Sequence, residues 1–208
     1  AGVLNPQEGT VECWVYVNDA ILFNPGYPTV FHIDSSVSGG SYFLFGHRGD
    51  TGHWYAQMTD DMSYTNVEVS DSYALNTSFL TITPIGWHYF AVTWKGSTVK
   101  VYINGILLAE NTNVATMLSG FAPLAYIGRG LNSLIDDLRI SSIARSNAEI
   151  AAAYASNQPL PVDEYTTYKM SFDGYLYGIV PAFGYDTTCR SSKQEEYAVS
   201  AVGTNGIE

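Results

Sequence analysis

Twenty Asp and Glu, four His and sixteen Tyr are the residues of this 208-residue chain from which chemistry could be built. The first chemistry to test is glycoside hydrolysis, which in its retaining form needs two carboxyls roughly 5 to 5.5 Å apart. Glu8 and Glu12 are spaced for one face of a strand, but Glu8 precedes the alternating stretch. His32, His47, His53 and His88 have no GxSxG or other Ser or Cys nucleophile context. His88 falls on the apolar side of its stretch, which points to a hydrogen-bonded structural histidine. No catalytic set emerges.

Binding is better provided for. Where apolar residues alternate with others, the non-core positions are rich in rings. Trp14 and Tyr16 lie opposite Val15, Tyr102 opposite Val101 and Ile103, and His53, Tyr55 and Gln57 opposite Trp54. Tyr and Trp present a flat apolar face to the C–H side of a pyranose and a polar tip to its hydroxyls. Trp14, Tyr16, His53, Tyr55, Gln57 and Tyr102 are therefore the expected ligand-binding residues. The competing reading is that cross-strand aromatic pairs stabilise sheets with no ligand present.

The elements that must position these residues are mostly strands. Thr10–Val17 alternates with Val11, Cys13, Val15 and Val17 on one face, and Tyr42–Gly46 and His53–Met58 follow. Residues 59–72 read as a polar loop. Trp87–Trp94 and Val99–Ile103 form a hairpin over a Lys95–Thr98 turn. Asn104-Gly105 then makes a tight turn whose central residues need positive φ, before a strand from Ile106 to Glu110. Tyr126–Gly128 and Leu134–Ile140 complete the set. One helix is expected, with Ser146 as N-cap and Glu149 closing a capping box ahead of Ile150–Ala155. Pro159 and Pro161 end that region. Many short strands and one short helix predict an all-β, two-sheet antiparallel sandwich.

The whole-chain balance agrees with neutral polar ligands. Nine Lys and Arg against twenty acids give a net charge of −11, which argues against nucleic acid or an anionic membrane as partner. No run approaches the roughly 20 apolar residues of a membrane span, so no membrane insertion is expected. Cys13, on the apolar side of its strand, reads as a buried free thiol, with a disulfide to Cys189 as the alternative. The start AGVLNPQEGT has no initiating Met and no signal-peptide pattern, as in a processed product or a piece of a longer protein. Asn76-Thr77-Ser78 matches a glycosylation sequon at a frequency near chance.

Four segments, EGTVECWVYV (8–17), GWHYFAVTWKGSTVKVYINGILLA (86–109), YIGRG (126–130) and IDDLRISSIARSNAEIAAAY (135–154), come in an order that resembles the laminin-G-like, concanavalin A-like lectin superfamily. The resemblance implies a jelly-roll sandwich over residues 1–161 and a non-catalytic carbohydrate-binding or adhesion module, extracellular, at a cell surface or on a virion. Its partner would be a glycan or cell-surface polysaccharide. The related laminarinase-type enzymes carry a Glu-x-Asp-x-x-Glu run that this chain lacks, so a glycosidase is the third reading. The second is a self-assembling structural subunit of a filament, tail, capsid appendage or surface layer. Lectin-like sandwiches often hold a structural calcium near the closing strand, which implicates Asp136; the alternative is an aspartate held by backbone N–H groups. Asp136 is expected on the side of Leu138 and Ile140, with Asp137 on the other, solvated or paired with Arg139. Residues 162–208 form an extension in which YKMSFDG (168–174) is similar to the opening strand of such a domain. It would begin a second repeat, or complete the sheet in its own subunit or a neighbour's, with self-association through residues 165–208.

Overall fold

The computed structural model describes residues 4–18, 21, 26–35, 42–49, 53–60, 63–69, 85–114 and 121–172. Cys189, the 76–78 sequon and the extension beyond Phe172 lie outside the described residues. The strands are β1 (Glu8–Val17), β2 (Thr29–Ser35), β3 (Tyr42–Arg48), β4 (His53–Asp60), β5 (Ser63–Val69), β6 (Gly86–Lys95), β7 (Thr98–Ile103), β8 (Ile106–Asn111), β9 (Phe121–Ile127), β10 (Ile135–Ser141) and β11 (Thr166–Met170). Helix α1 (Asn147–Ser156) lies between β10 and β11. Two antiparallel sheets result, a six-stranded one in the order β11-β10-β1-β6-β7-β8 and a five-stranded one in the order β5-β4-β3-β2-β9. This is the two-sheet antiparallel sandwich expected from the alternation, and the jelly roll that the resemblance implied. Two strands escaped that reading: β2, and β5, which lies inside the stretch read as a loop.

Alternation explains the layers. Val11, Cys13, Val15 and Val17 of β1 and Phe90, Val92 and Trp94 of β6 face Phe31, Phe43, Phe45 and Trp54 of the other sheet in one buried core. Rings make the contact between sheets: Trp54 and Phe90 are 4.3 Å apart by centroid, and Phe43 and Trp94 5.0 Å. Cys13 is a free thiol, 1% exposed, directly across from Phe90. Burial, with the charges of Glu12 and Asp136, pushes the ionisation of that thiol far up. The turn after β7 has φ of 52° at Asn104 and 76° at Gly105, as a type I′ turn requires. His88, 6% exposed, places Nδ1 2.9 Å from the Asn104 amide nitrogen, the hydrogen-bonded role expected of it.

Helix α1 begins as expected, with both bonds of the Ser146–Glu149 capping box present. It covers the outer face of the six-stranded sheet. Ile150 and Leu160 pack with Tyr89, Ala91 and Tyr102 in a second buried cluster, with Trp14 at its margin.

Beneath that cover lies a buried ionic network. Glu12, fully buried, accepts from Arg139 Nε at 2.6 Å and from the Tyr89 hydroxyl, and Arg145 Nε approaches it at 3.5 Å. Burial and the charge of Glu12 hold the Tyr89 phenol protonated, as the donor in this pair. Arg145 reaches on to Asp163 at 2.8 Å, and Arg139 donates to the Pro161 carbonyl at 2.6 Å. Strand β11 pairs with β10 in its own chain, from Leu138↔Met170 to Ser141↔Thr166, so the described sandwich runs on past residue 161.

Acid should loosen this attachment. Burial alone would raise the Asp163 pKa, but hydrogen bonds from Arg145 and Thr166 and the charge of Arg145 bring it below the ordinary value. At Glu149 the Ser146 hydrogen bonds lower it likewise. A carboxylate depressed in the fold stabilises it above its unfolded pKa, about 3.9 for Asp and 4.3 for Glu, and that stability is lost as pH falls through the folded value. Thermal melts are expected to be level near neutrality and to decline below about pH 4. Asp163→Asn should decline less steeply; an identical slope in that variant would remove Asp163 from the explanation.

Candidate functional site

The outer face of the five-stranded sheet gathers rings and cations. On β3 Phe43 and Phe45 point to the core, which leaves Tyr42, Leu44, Gly46 and Arg48 outward. On β4 Trp54, Ala56 and Met58 point in, so His53, Tyr55 and Gln57 point out. Cross-strand pairs share a face, and the register sets Leu44 beside Gln57, Gly46 beside Tyr55 and Arg48 beside His53. On β5 the rungs continue with Glu68 opposite Tyr55 and Asn66 opposite Gln57.

Gly46 decides how this face is completed. A Cβ there would stand 2.4 Å from the Pro28 carbonyl oxygen, so only glycine admits the 26–28 segment against β3. That segment is held by His47 N–H to the Pro28 oxygen at 2.9 Å and Gly49 N–H to the Gly26 oxygen at 3.0 Å. It brings Tyr27, 56% exposed, over Arg48, whose guanidinium carbon lies 5.8 Å from the Tyr27 ring and 5.9 Å from the Tyr55 ring. Tyr27, Tyr42, Leu44, Arg48, Tyr55 and Gln57 line an open depression of about 340 Å³.

A second cluster adjoins it. His32 on β2 packs edge-on to Tyr42 at 5.6 Å and against Tyr126 of β9 at 5.8 Å. Arg129, exposed, lies 5.2 Å over the Tyr126 ring, with Nη1 3.3 Å from His32 Nδ1.

The six residues expected from alternation are thus divided between two sides of the sandwich. Tyr55 and Gln57 line the depression, and His53 stands across from Arg48 outside the lining. Trp14, Tyr16 and Tyr102 lie on the outer face of the other sheet, away from the depression, Trp14 half-buried. Tyr102 is 1% exposed and donates to Asn147 Oδ1 of α1 at 2.8 Å, so it cannot meet a ligand. Trp14 is packed against Tyr89 at 5.6 Å and against Tyr154 of α1 at 5.9 Å. Tyr16 pairs edge-on with Trp87 at 5.6 Å, beyond the helix. Alternation identified the face correctly; the helix covers it.

The face assigned to Asp136 also changes. Asp137 has φ of 48°, a bulge that shifts the phase of β10, so Ile135 and Leu138 both enter the core. Asp136 therefore shares the outer face with its partner Trp14. Its Oδ1 accepts from Asp137 N–H at 2.8 Å. Among the described residues no group of three His, Cys, Asp or Glu is placed to hold a metal ion. Asp137, nearly buried, has Lys169 Nζ 3.6 Å away, while Arg139 is taken by Glu12. The carboxylates weighed for hydrolysis are committed elsewhere too: Glu12 is buried among arginines, and Glu8 is 3.0 Å from Lys95 Nζ.

Tyr27, Tyr42, Arg48 and the His32–Tyr126–Arg129 cluster were not singled out in the sequence. The signal for Tyr42 and Arg48 was present, since YFLFGHR alternates by the rule that found Tyr55. No comparable signal marks Tyr27, which lies outside any strand.

Known proteins share this architecture. The receptor-binding domain of a botulinum neurotoxin, mosaic serotype C/D, superposes with a TM-score of 0.55 at 18% identity, over 73% of this chain and 37% of that one. A candidate carbohydrate-binding protein from Bacteroides ovatus gives 0.52 at 18% identity, over 81% and 46%. The binding domain of Paraclostridial Mosquitocidal Protein 1 gives 0.50 at 14% identity, over 72% and 37%. At such identities the likeness is one of fold, and the chain spans little more than a third of the toxin domains. No curated protein sequence matches it. No helix among the described residues is long and apolar enough to cross a membrane. The family profile described as the concanavalin A-like lectin/glucanases superfamily, of laminin G type, matches residues 1–151, and the chain belongs to that family.

Proposed function

We propose that this domain is a non-catalytic carbohydrate-binding module whose site is the outer face of the five-stranded sheet. The observation that carries the reading is the depression in which three tyrosines, a guanidinium and an amide surround about 340 Å³ of open space. That volume lies at the small end of ligand sites, roughly 300 to 1,000 Å³, and suits a short stretch of sugar. Tyr27 and Tyr42 offer ring faces to C–H surfaces, with Tyr55, 4% exposed, behind them, while the Gln57 amide, the Arg48 guanidinium and the phenol groups serve hydroxyls. The binding domains among the fold relatives support a binding role. A module of this kind works where glycans are displayed, outside a cell or on a virion, as an attachment device.

The test is a glycan screen with the full chain, followed by titration calorimetry on the strongest binder. Tyr55→Ala and Tyr42→Ala are each expected to weaken binding about tenfold or more, equivalent to about 1.4 kcal/mol. Trp87→Ala, on the opposite side of the sandwich, should leave affinity unchanged. Wild-type affinity in both tyrosine variants would sink the site.

A further inference from the structure

We propose that the ligand of this face is an acidic glycan, with successive carboxylate or sulfate groups bound by Arg48 and Arg129; this rests on the carbohydrate reading above and names its chemical class. A platform for neutral sugars needs rings and hydrogen-bonding groups. This one also has two guanidiniums laid against tyrosines, Arg48 against Tyr27 and Tyr55 and Arg129 against Tyr126. The in-plane N–H fork of a guanidinium matches the two oxygens of a carboxylate or sulfate.

The two cations belong to one continuous surface. Tyr42 lines the depression that holds Arg48, and it also packs on His32, which touches Arg129. His32 pairs with Leu44, four residues before Arg48 on β3. Arg129 follows β9 opposite Thr29, which pairs with Gly46 of β3, so the two arginines stand two strands apart, roughly 10 Å across the sheet. That separation exceeds one sugar ring, so the pair fits an oligosaccharide with repeated acidic groups better than a single sugar.

The rest of the molecule sharpens the point. Because a net charge of −11 works against polyanions at long range, the attraction must come locally from the two arginines. Binding is therefore best read through variants that neutralise the arginines alone.

A glycan array bearing sialylated, uronate-containing, sulfated and neutral oligosaccharides should be probed with the full chain and with Arg48→Gln, Arg129→Gln and Tyr55→Ala, each checked to be folded at the assay temperature. Acidic oligosaccharides should dominate, each arginine variant should lose at least about fivefold in affinity, and the balance of sulfated and carboxylated hits identifies the anion. Neutral hits that survive both arginine substitutions but vanish with Tyr55→Ala would overturn the acidic class and leave the carbohydrate reading standing. Failure to bind any glycan would overturn both.

Discussion

Glu12→Ala is expected to cost about 3–5 kcal/mol, the range for breaking a buried ion pair from one side. The loss has a specific origin. Glu12 is fully buried and holds Arg139 at 2.6 Å and Arg145 at 3.5 Å, and both arginines are themselves almost fully buried. Without Glu12 two guanidiniums stay out of water with no carboxylate between them, and the Tyr89 hydroxyl loses its acceptor. Against a total stability of about 5–15 kcal/mol, such a change leaves the domain marginal. Denaturant titration followed by tryptophan fluorescence measures it. Replacing Glu12 and Arg139 together with apolar residues of similar volume should recover part of the loss, because the desolvation cost of both ions is then removed. A Glu12→Ala change below about 1 kcal/mol would mean that water reaches the network and screens it.

Trp54→Ala should be comparably severe, about 3–5 kcal/mol, because it empties the contact between the sheets. The indole is 1% exposed and packs on Phe45 at 5.9 Å, His47 at 5.2 Å and Phe90 of the other sheet at 4.3 Å. Trp54→Phe keeps much of that volume and should lose less. The comparison with Tyr55→Ala, one residue along the same strand, is the informative one. Tyr55 points to the opposite face, into the depression, but is itself 4% exposed, so its truncation should cost both stability and glycan affinity, whereas that of Trp54 should act on stability alone. Unchanged glycan affinity in folded Tyr55→Ala would mean that the faces of β4 are wrongly assigned.

What could be read in advance follows from what alternation reports. In a strand with one buried face, each side chain is assigned to a layer by its position, so β1, β4 and the β6–β7 hairpin were legible from residues such as Val15, Trp54 and Phe90. β5 was not. Its sequence SYTNVEV is largely polar, and as an edge strand it pairs with β4 alone, so it carries little apolar pattern to read. Alternation also cannot say what covers a face. Tyr102 was placed outward correctly, but the Asn147 that receives its hydroxyl lies 45 residues further on, in a helix whose docking site is invisible in the local pattern. Asp136 was misplaced for a third reason: one residue with positive φ, Asp137, resets the phase of a strand. Five of the six lining residues, Tyr42, Leu44, Arg48, Tyr55 and Gln57, obey the alternation, although only Tyr55 and Gln57 were read from it. Tyr27 depends on the missing side chain of Gly46, which lets it come down beside Arg48.

The thiol of Cys13 carries a consequence for kinetics. Cysteine is alkylated as its thiolate, and in the folded chain Cys13 is sealed in the middle of β1 with its ionisation suppressed. Reagent can reach it only when the two sheets part. With Cys189 replaced by serine, the labelling rate of Cys13 becomes a clock for that opening. At high reagent concentration it counts opening events one by one, and at low concentration it follows the equilibrium population of the open state. The same clock, run with glycan bound, would show how far occupancy of the outer face slows the parting of the sheets beneath it.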